Sequence, residues 1–360
     1  MNDLERNSRD AVLLTSLLEA IPEPVLIISA DSRIMAANAD ARALFPALRP
    51  GELLALVLRS PDVLDAVERV RTSGRPETVA WRERVPVERI FDVTVAPLEA
   101  PVPARTIVLT LRDLTEAHRV ERMRVDFVAN ASHELRTPLA SLLGFVETLQ
   151  GAARDDPRAR DKFLVIMRDQ ARRMARLVDD LLSLSRIEQN LHLRPETPVD
   201  FVSVVAHVVD TLTPMALENG VVLDLLAAQE ITVPGDRDEL VRVAENLIEN
   251  AIKYGGGSDD DTQPVEIEVA VQGSQAILTV RDHGPGIAPE HLPRLTERFY
   301  RIDAGESRAK GGTGLGLAIV KHIVARHRGR LTIESRLGEG AAFRVFLPLR
   351  NNEKQDFSSN

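Results

Sequence analysis

The sequence has no cysteine, so disulfides and cysteine-based zinc sites are excluded. Residues 1–117 also lack histidine, which excludes a His-ligated haem and a cysteinyl-flavin adduct from that part of the chain. Positive charge is not in excess. The 45 Lys and Arg face 54 Asp and Glu, a net charge of −9, which argues against a general affinity for nucleic acid. Long apolar runs are absent. The longest uncharged stretch, Val269–Val280, has twelve residues, whereas a membrane-spanning helix needs about 20 apolar ones. The apolar stretch Ala11–Leu18 leads into Glu19-Ala-Ile-Pro22 without a secretory cleavage pattern. The expectation is a cytoplasmic chain with no membrane span, held at a membrane only through partners or as the cytoplasmic portion of a membrane sensor. One motif is conspicuous for a missing residue. His133-Glu134-Leu-Arg-Thr137 follows the H-E-x-x-H zinc-protease pattern but has Thr137 in place of the second histidine.

What is present is ordinary for folded protein: 44% hydrophobic and 28% charged residues over 360 positions, enough for roughly two to three domains. Residues 17–116 mix short apolar runs (Val25–Ser29, Phe91–Ala96, Thr106–Leu111) with turn residues and a helical stretch near 52–73, the pattern of a small α+β domain with an antiparallel sheet. Residues 1–16 read as a leader helix. Residues 117–192 read as two long helices parted by Gly151–Pro157. Val125, Val128, Ser132, Leu135, Leu139, Leu142, Val146 and Leu149 recur at spacings of three and four, as do Phe163, Met167, Gln170, Met174, Leu177, Leu181 and Leu184. Such heptads predict a helical hairpin that pairs with a second copy as a dimeric four-helix bundle. Residues 193–350 return to α/β, with helices predicted over Asp236–Tyr254 and Leu315–His327. The strands are predicted over Val265–Val271, Ala276–Arg281, Arg330–Ser335 and Ala342–Leu347. Residues 351–360 form a polar tail expected to be disordered.

Three motifs in the last segment carry chemistry. Asn246 and Asn250, in Glu245-Asn246-Leu-Ile-Glu-Asn250-Ala-Ile-Lys253-Tyr254, lie four apart on one helix face, and an amide oxygen is a ligand that Mg²⁺ accepts. Asp282-His-Gly284-Pro-Gly286-Ile287 follows a strand. A carboxylate there can accept a hydrogen bond from an adenine amino group, and its glycines admit close backbone approach. Gly311-Gly312-Thr313-Gly314-Leu315-Gly316-Leu317 runs into a helix, where backbone N–H groups and the helix N-terminus suit phosphate. It is not a Walker A loop, and no strand precedes it as a dinucleotide fingerprint requires. Taken singly, capping asparagines, an Asp-Gly turn and a flexible hinge would explain each motif.

Taken in order, with the aromatic loop Glu297-Arg-Phe299-Tyr300-Arg301 between the last two, they resemble the Bergerat ATP-binding fold shared by gyrase, the Hsp90 chaperone, MutL and histidine kinases. In hydrolysing members a glutamate stands four residues before the Mg²⁺-binding asparagine. Here Asn246 stands there, an amide that cannot act as a base, so the γ-phosphoryl group needs another acceptor. The run Phe127–Phe145, which contains His133, completes a resemblance to the sensor histidine kinases of two-component systems over residues 117–350. Within these it is most similar to phosphate-regulon sensor kinases. Residues 17–116 resemble a PAS domain through Pro22–Ser29 and the closing Arg112-Asp-Leu-Thr-Glu116. The implied architecture is multidomain: an α+β PAS-like domain, an α-helical hairpin forming a dimeric four-helix bundle, and a Bergerat-type α/β sandwich.

The resemblance implies the following roles. His133 accepts a phosphoryl group from Mg-ATP; an imidazole with an unperturbed pKa of about 6.5 is substantially neutral at pH 7. Glu134 orients it and stabilises the imidazolium as it forms. Asn250 holds Mg²⁺ and Asp282 reads adenine. Lys253, Tyr254 and Arg301 lie near the nucleotide, and Glu297–Thr313 forms a lid. The phosphoryl group passes to a response regulator receiver domain, with phosphate starvation as the signalling context. Thr137 positions a water for dephosphorylating that regulator. Pro138 removes a helical N–H and is expected to kink or loosen the helix just past His133. There are two departures. Phosphate sensors of this kind usually carry N-terminal membrane helices, and Ala341 stands where the family often has Ser or Thr near adenine. Two rivals stay open: a Bergerat ATPase or chaperone, and a regulatory scaffold that transfers nothing. The other histidines lack ligand spacing, and Trp81 reads as core. The PAS-like domain reads first as a dimerising relay into the hairpin, with a small ligand, a non-covalent flavin or a protein partner as the alternatives.

Overall fold

A computed structural model of the chain describes residues 15–83, 88–98, 105–227, 230–255, 264–303 and 312–349. Most of the expected leader helix, part of the expected lid, Gly311 and the polar tail lie outside the described residues. The chain forms two compact units, Met1–Asp126 and Phe127–Asn360. The first hairpin helix, Thr115–Gln150, runs across the division, which falls ten residues beyond the expected border at 116.

The first unit is a five-stranded antiparallel sheet in the order β2 (Ile34–Ala37), β1 (Val25–Ile28), β5 (Ile107–Asp113), β4 (Arg89–Pro97), β3 (Glu77–Glu83). The helical stretch near 52–73 is two helices, Leu54–Val57 and Pro61–Ser73, because Pro61 sits at the start of the second, where its fixed φ and missing N–H cost nothing. That helix ends at Gly74, whose φ of 69° makes the left-handed cap. Its Val63, Ala66, Val67 and Val70 join Leu26, Ile28, Val93 and Leu109 in one core. Trp81 stacks between Phe45 and Phe91, as the core reading predicts.

The hairpin consists of Thr115–Gln150 and Pro157–Gln189, and the second unit takes it up from Phe127. Asp156 caps the second helix by accepting from Arg158 N and Ala159 N. The first helix stays continuous through Pro138. Next comes a mainly antiparallel sheet in the order β11 (Arg330–Ser335), β12 (Ala341–Pro348), β10 (Gln275–Asp282), β9 (Val265–Gln272), β7 (Leu223–Ala227), with only β7 parallel to its neighbour. A two-stranded ladder of β6 (Pro198–Asp200) and β8 (Thr232–Pro234) lies beside it. β9 and β10 alternate buried and exposed residues, so one face is covered. The cover is three helices, Phe201–Glu218, Arg237–Tyr254 and Gly316–Arg326. The first of these is, by length and apolarity alone, able to cross a membrane. Here its Phe201, Val204, Val205 and Val208 are buried in the sandwich core. The same core takes in Leu177, Leu184 and Ile187 of the second hairpin helix.

Candidate functional site

Asp282 ends β10, opposite Ala341 of β12. It is 6% exposed. Its Oδ1 accepts from Gly284 N at 3.0 Å and Ala341 N at 3.3 Å. Burial nevertheless raises its pKa above the usual carboxylate value, against the pull of those two N–H groups and of His283. Oδ2, with no partner among the described residues, is the oxygen left for a ligand. Gly340 has φ +79°, and a Cβ there would fall 2.0 Å from the Asp282 carbonyl oxygen, so only glycine lets the two turns close. Ser335 ties them: its hydroxyl accepts from Ile287 N at 2.8 Å and donates to Gly340 O at 2.6 Å. Gly286 lies in the turn between Gly284 and Ile287. Ala341 therefore contributes through its backbone, which no side chain at that position announces. Ser335, Gly340 and Gly255 are the site residues that sequence reasoning missed. Gly255, whose Cα packs on the Asp282 side chain, sits directly behind the Asn motif, and that adjacency was the available signal.

The Asn motif lies on helix Arg237–Tyr254, capped by Asp236, which accepts from Asp238 N and Glu239 N. His327, fully buried, pins this cap: its Nε2 accepts from Asp236 N at 3.0 Å while Nδ1 donates to Ile323 O at 2.8 Å. Burial lowers its pKa, which suits that neutral tautomer. Asn246 donates to Arg242 O at 2.8 Å. A Cβ on Gly316 would lie 2.3 Å from Asn246 Oδ1, so Gly316 lets the Gly-rich helix start against the Asn face. Asn250, one turn on, is half-buried, and its amide has no hydrogen-bond partner among the described residues. Lys253 pairs with Glu249, and Tyr254 ends the helix. An unengaged amide oxygen, a half-buried lysine and a glycine-lined carboxylate are a donor set that fits a Mg²⁺-nucleotide.

The two loops that face the hairpin are zipped together. Phe299 has φ +63°, uncommon for a bulky residue, and its N–H donates to Gly314 O at 2.7 Å. Tyr300 bonds His291 at 2.7 Å. Gly312 and Thr313 are half-buried, and the Thr313 hydroxyl receives Leu315 N while donating to Asp180 of the hairpin at 2.7 Å. Leu315 is buried, and Leu317 packs on the core. Asp180 also holds Arg242 at 2.6 Å. Arg298 pairs with Glu188, and Phe299 lies 5.9 Å from Phe127. The Arg301 side chain, 6% exposed, reaches Glu134 with both terminal nitrogens, at 3.3 and 3.1 Å, and Arg173 joins at 3.3 Å. The docking surface is acidic on the hairpin and basic on the sandwich. His133 stays exposed on the first hairpin helix, and the Thr137 hydroxyl donates to its carbonyl at 3.2 Å. The predicted residues thus fall into one cluster of nucleotide motifs and one helical turn, bridged through Glu134.

Residues 235–351 match the family described as Histidine kinase-, DNA gyrase B-, and HSP90-like ATPase. Residues 123–190 match the His Kinase A (phospho-acceptor) domain. The phosphate regulon sensor protein PhoR of Pseudomonas aeruginosa is 40% identical over 239 residues, 66% of this chain and 53% of that protein. The sensor protein SrrB of Staphylococcus aureus is 35% identical over 247 residues, 67% of this chain and 41% of that one. The chain thus spans about half the length, or less, of these curated relatives. Among solved structures, the Acinetobacter baumannii histidine kinase AdeS is 28% identical with a TM-score of 0.48, covering 61% of this chain and 98% of its own.

Proposed function

We propose that this chain, which carries both histidine-kinase domains and is 40% identical to a phosphate regulon sensor protein over 66% of its length, is a two-component sensor histidine kinase, an ATP-dependent enzyme that phosphorylates its own His133. The observation that carries the reading is the Arg301–Glu134 ion pair. It joins the loop beside the nucleotide motifs to the residue next to the phosphoacceptor.

The imidazole of His133 attacks the γ-phosphorus. An N–P bond forms as the P–O bond to the ADP leaving group breaks. A carboxylate beside the ring, Glu134, accepts the hydrogen bond from the other ring N–H and stabilises the imidazolium. Asp282 binds the adenine amino group through its open oxygen, and Lys253, Tyr254 and the Gly312–Leu317 backbone surround the phosphates. The Asn250 amide would hold Mg²⁺, which offsets phosphate charge. Positioning supplies most of the remaining catalysis. Asn246, an amide where a hydrolysing relative has glutamate, activates no water.

The phosphoryl group then moves to an aspartate on a response regulator receiver domain. The 40% identity to PhoR supports a phosphate-starvation circuit. Thr137, one turn from His133, would position the water for dephosphorylating that regulator. The working form is a homodimer joined through the hairpin, with residues 17–116 as a PAS-like sensor. Incubation with γ-labelled ATP and Mg²⁺ tests the chemistry. The expected result is an acid-labile, alkali-stable phosphoprotein that α-labelled ATP does not produce and that a receiver domain of the phosphate-regulon type discharges. Steady phosphate release with no phosphoprotein would instead make the chain an ATPase.

A further inference from the structure

Arg301 lies nearly buried between two places that both want its charge. On one side is Glu134, which takes both terminal nitrogens of its guanidinium. On the other is the Gly-rich loop: its Gly314 carbonyl receives Phe299 N, and a Cβ on Gly314 would lie 3.2 Å from the Arg301 Nε. That Nε is buried and has no hydrogen-bond partner among the described residues. A carboxylate offers about four acceptor positions. Arg301 and Arg173 take three at Glu134, which leaves that carboxylate little capacity for an imidazole N–H. Asp180 repeats the pattern one layer away, holding Thr313 of the same loop and Arg242 of the Asn helix.

We propose that Arg301 is a two-position switch: on Glu134 it latches the sandwich to the hairpin and occupies the group His133 needs, and on nucleotide phosphate it gives that group up. The inference rests on the reading that the Asn250–Asp282 site binds Mg-ATP, and goes beyond it by making nucleotide entry and the freeing of Glu134 a single event. Phosphate oxygens and the Glu134 carboxylate are both strong bidentate partners for a guanidinium, so they compete. Two ligands that compete for one group weaken each other by the same factor. Towards His133, Arg301 is a positioning residue that acts only through Glu134; towards the nucleotide it is a direct phosphate ligand.

The test is a binding measurement on the full chain with a non-hydrolysable Mg-ATP analogue, by titration calorimetry, so that it needs no phosphoryl transfer. Glu134→Gln keeps the side-chain shape and removes the competing charge. Analogue affinity is expected to rise about tenfold, within the 5- to 150-fold usual for coupled sites. The same substitution in an Arg301→Ala background is expected to leave affinity unchanged. Unchanged or weaker binding in Glu134→Gln would overturn the switch. An equal gain in both backgrounds would overturn Arg301 as its seat. A chain that binds no analogue would overturn the ATP-site reading, and the switch with it.

Discussion

Asp282 carries its carboxyl where burial opposes charge. Its folded pKa lies above the unfolded one, so between the two values the folded state binds more protons than the unfolded state. Stability therefore falls as pH rises through that window, and the cost stays in full above it. Asp282→Asn keeps an acceptor for Gly284 N and Ala341 N and sheds the charge. It is expected to melt at or above the temperature of the unaltered chain at pH 7 while binding ATP about 10- to 150-fold more weakly, the worth of one hydrogen bond to a charged group. Calorimetric titration and thermal melting at several pH values read both effects. This residue was legible in the sequence because a carboxylate, a strand end and two glycines make a pattern. Its backbone partners were not: the N–H of Ala341 is the same on any residue but proline, and only the β10–β12 register delivers it. Glu134 stands out in the sequence by its place next to His133. Its three hydrogen bonds to Arg301 and Arg173 join residues 167 and 39 positions away, which no local pattern encodes.

At the scale of elements, the helix bearing Asn246 and Asn250 depends on its cap. Asp236→Ala removes two acceptor contacts and is expected to cost about 0.5–2 kcal/mol, seen as a lower melting temperature with weaker nucleotide binding. His327 below it is held neutral, its pKa under the unfolded value of 6.5, facing Asp236, Glu239 and Arg326. The unfolded state then binds more protons below pH 6.5, so stability drops as pH falls from there towards the folded pKa. His327→Gln is expected to flatten that part of the stability–pH curve, measured by denaturant titration. The helices and strands around the motifs were readable because amphipathic periods and glycine breaks agree. Helix Phe201–Glu218 was not singled out: its five valines favour strand locally, and burial in the sandwich core overrides that preference. β2 and β3 were also missed; β2 has a single buried side chain, and Trp81 is the only fully buried residue of β3.

At the scale of the whole molecule, the hairpin shows more apolar surface than one chain covers. Leu139, Leu143, Val178 and Leu182 are 41–57% exposed on its two helices, an apolar surface that pairing with a second copy would cover; only Leu139 of these is among the recurring positions. Leu143→Glu is expected to turn a dimer into a monomer in sedimentation equilibrium while leaving analogue binding intact. The hairpin was legible as periodicity, although Leu177 and Leu184 of the recurring positions are buried in the sandwich core. The docking of the sandwich on the hairpin was not, since its acids (Glu134, Asp180, Glu188) and bases (Arg301, Arg242, Arg298) are scattered along the chain. Everything above turns on the transfer of the γ-phosphoryl group from ATP to His133. Peptide mapping by mass spectrometry at neutral pH, after reaction with Mg-ATP, tests it most directly. The phosphoryl group is expected on the ring of His133, with none on a His133→Gln chain that still binds ATP. A phosphoryl group on another residue, or one that survives in His133→Gln, would contradict it.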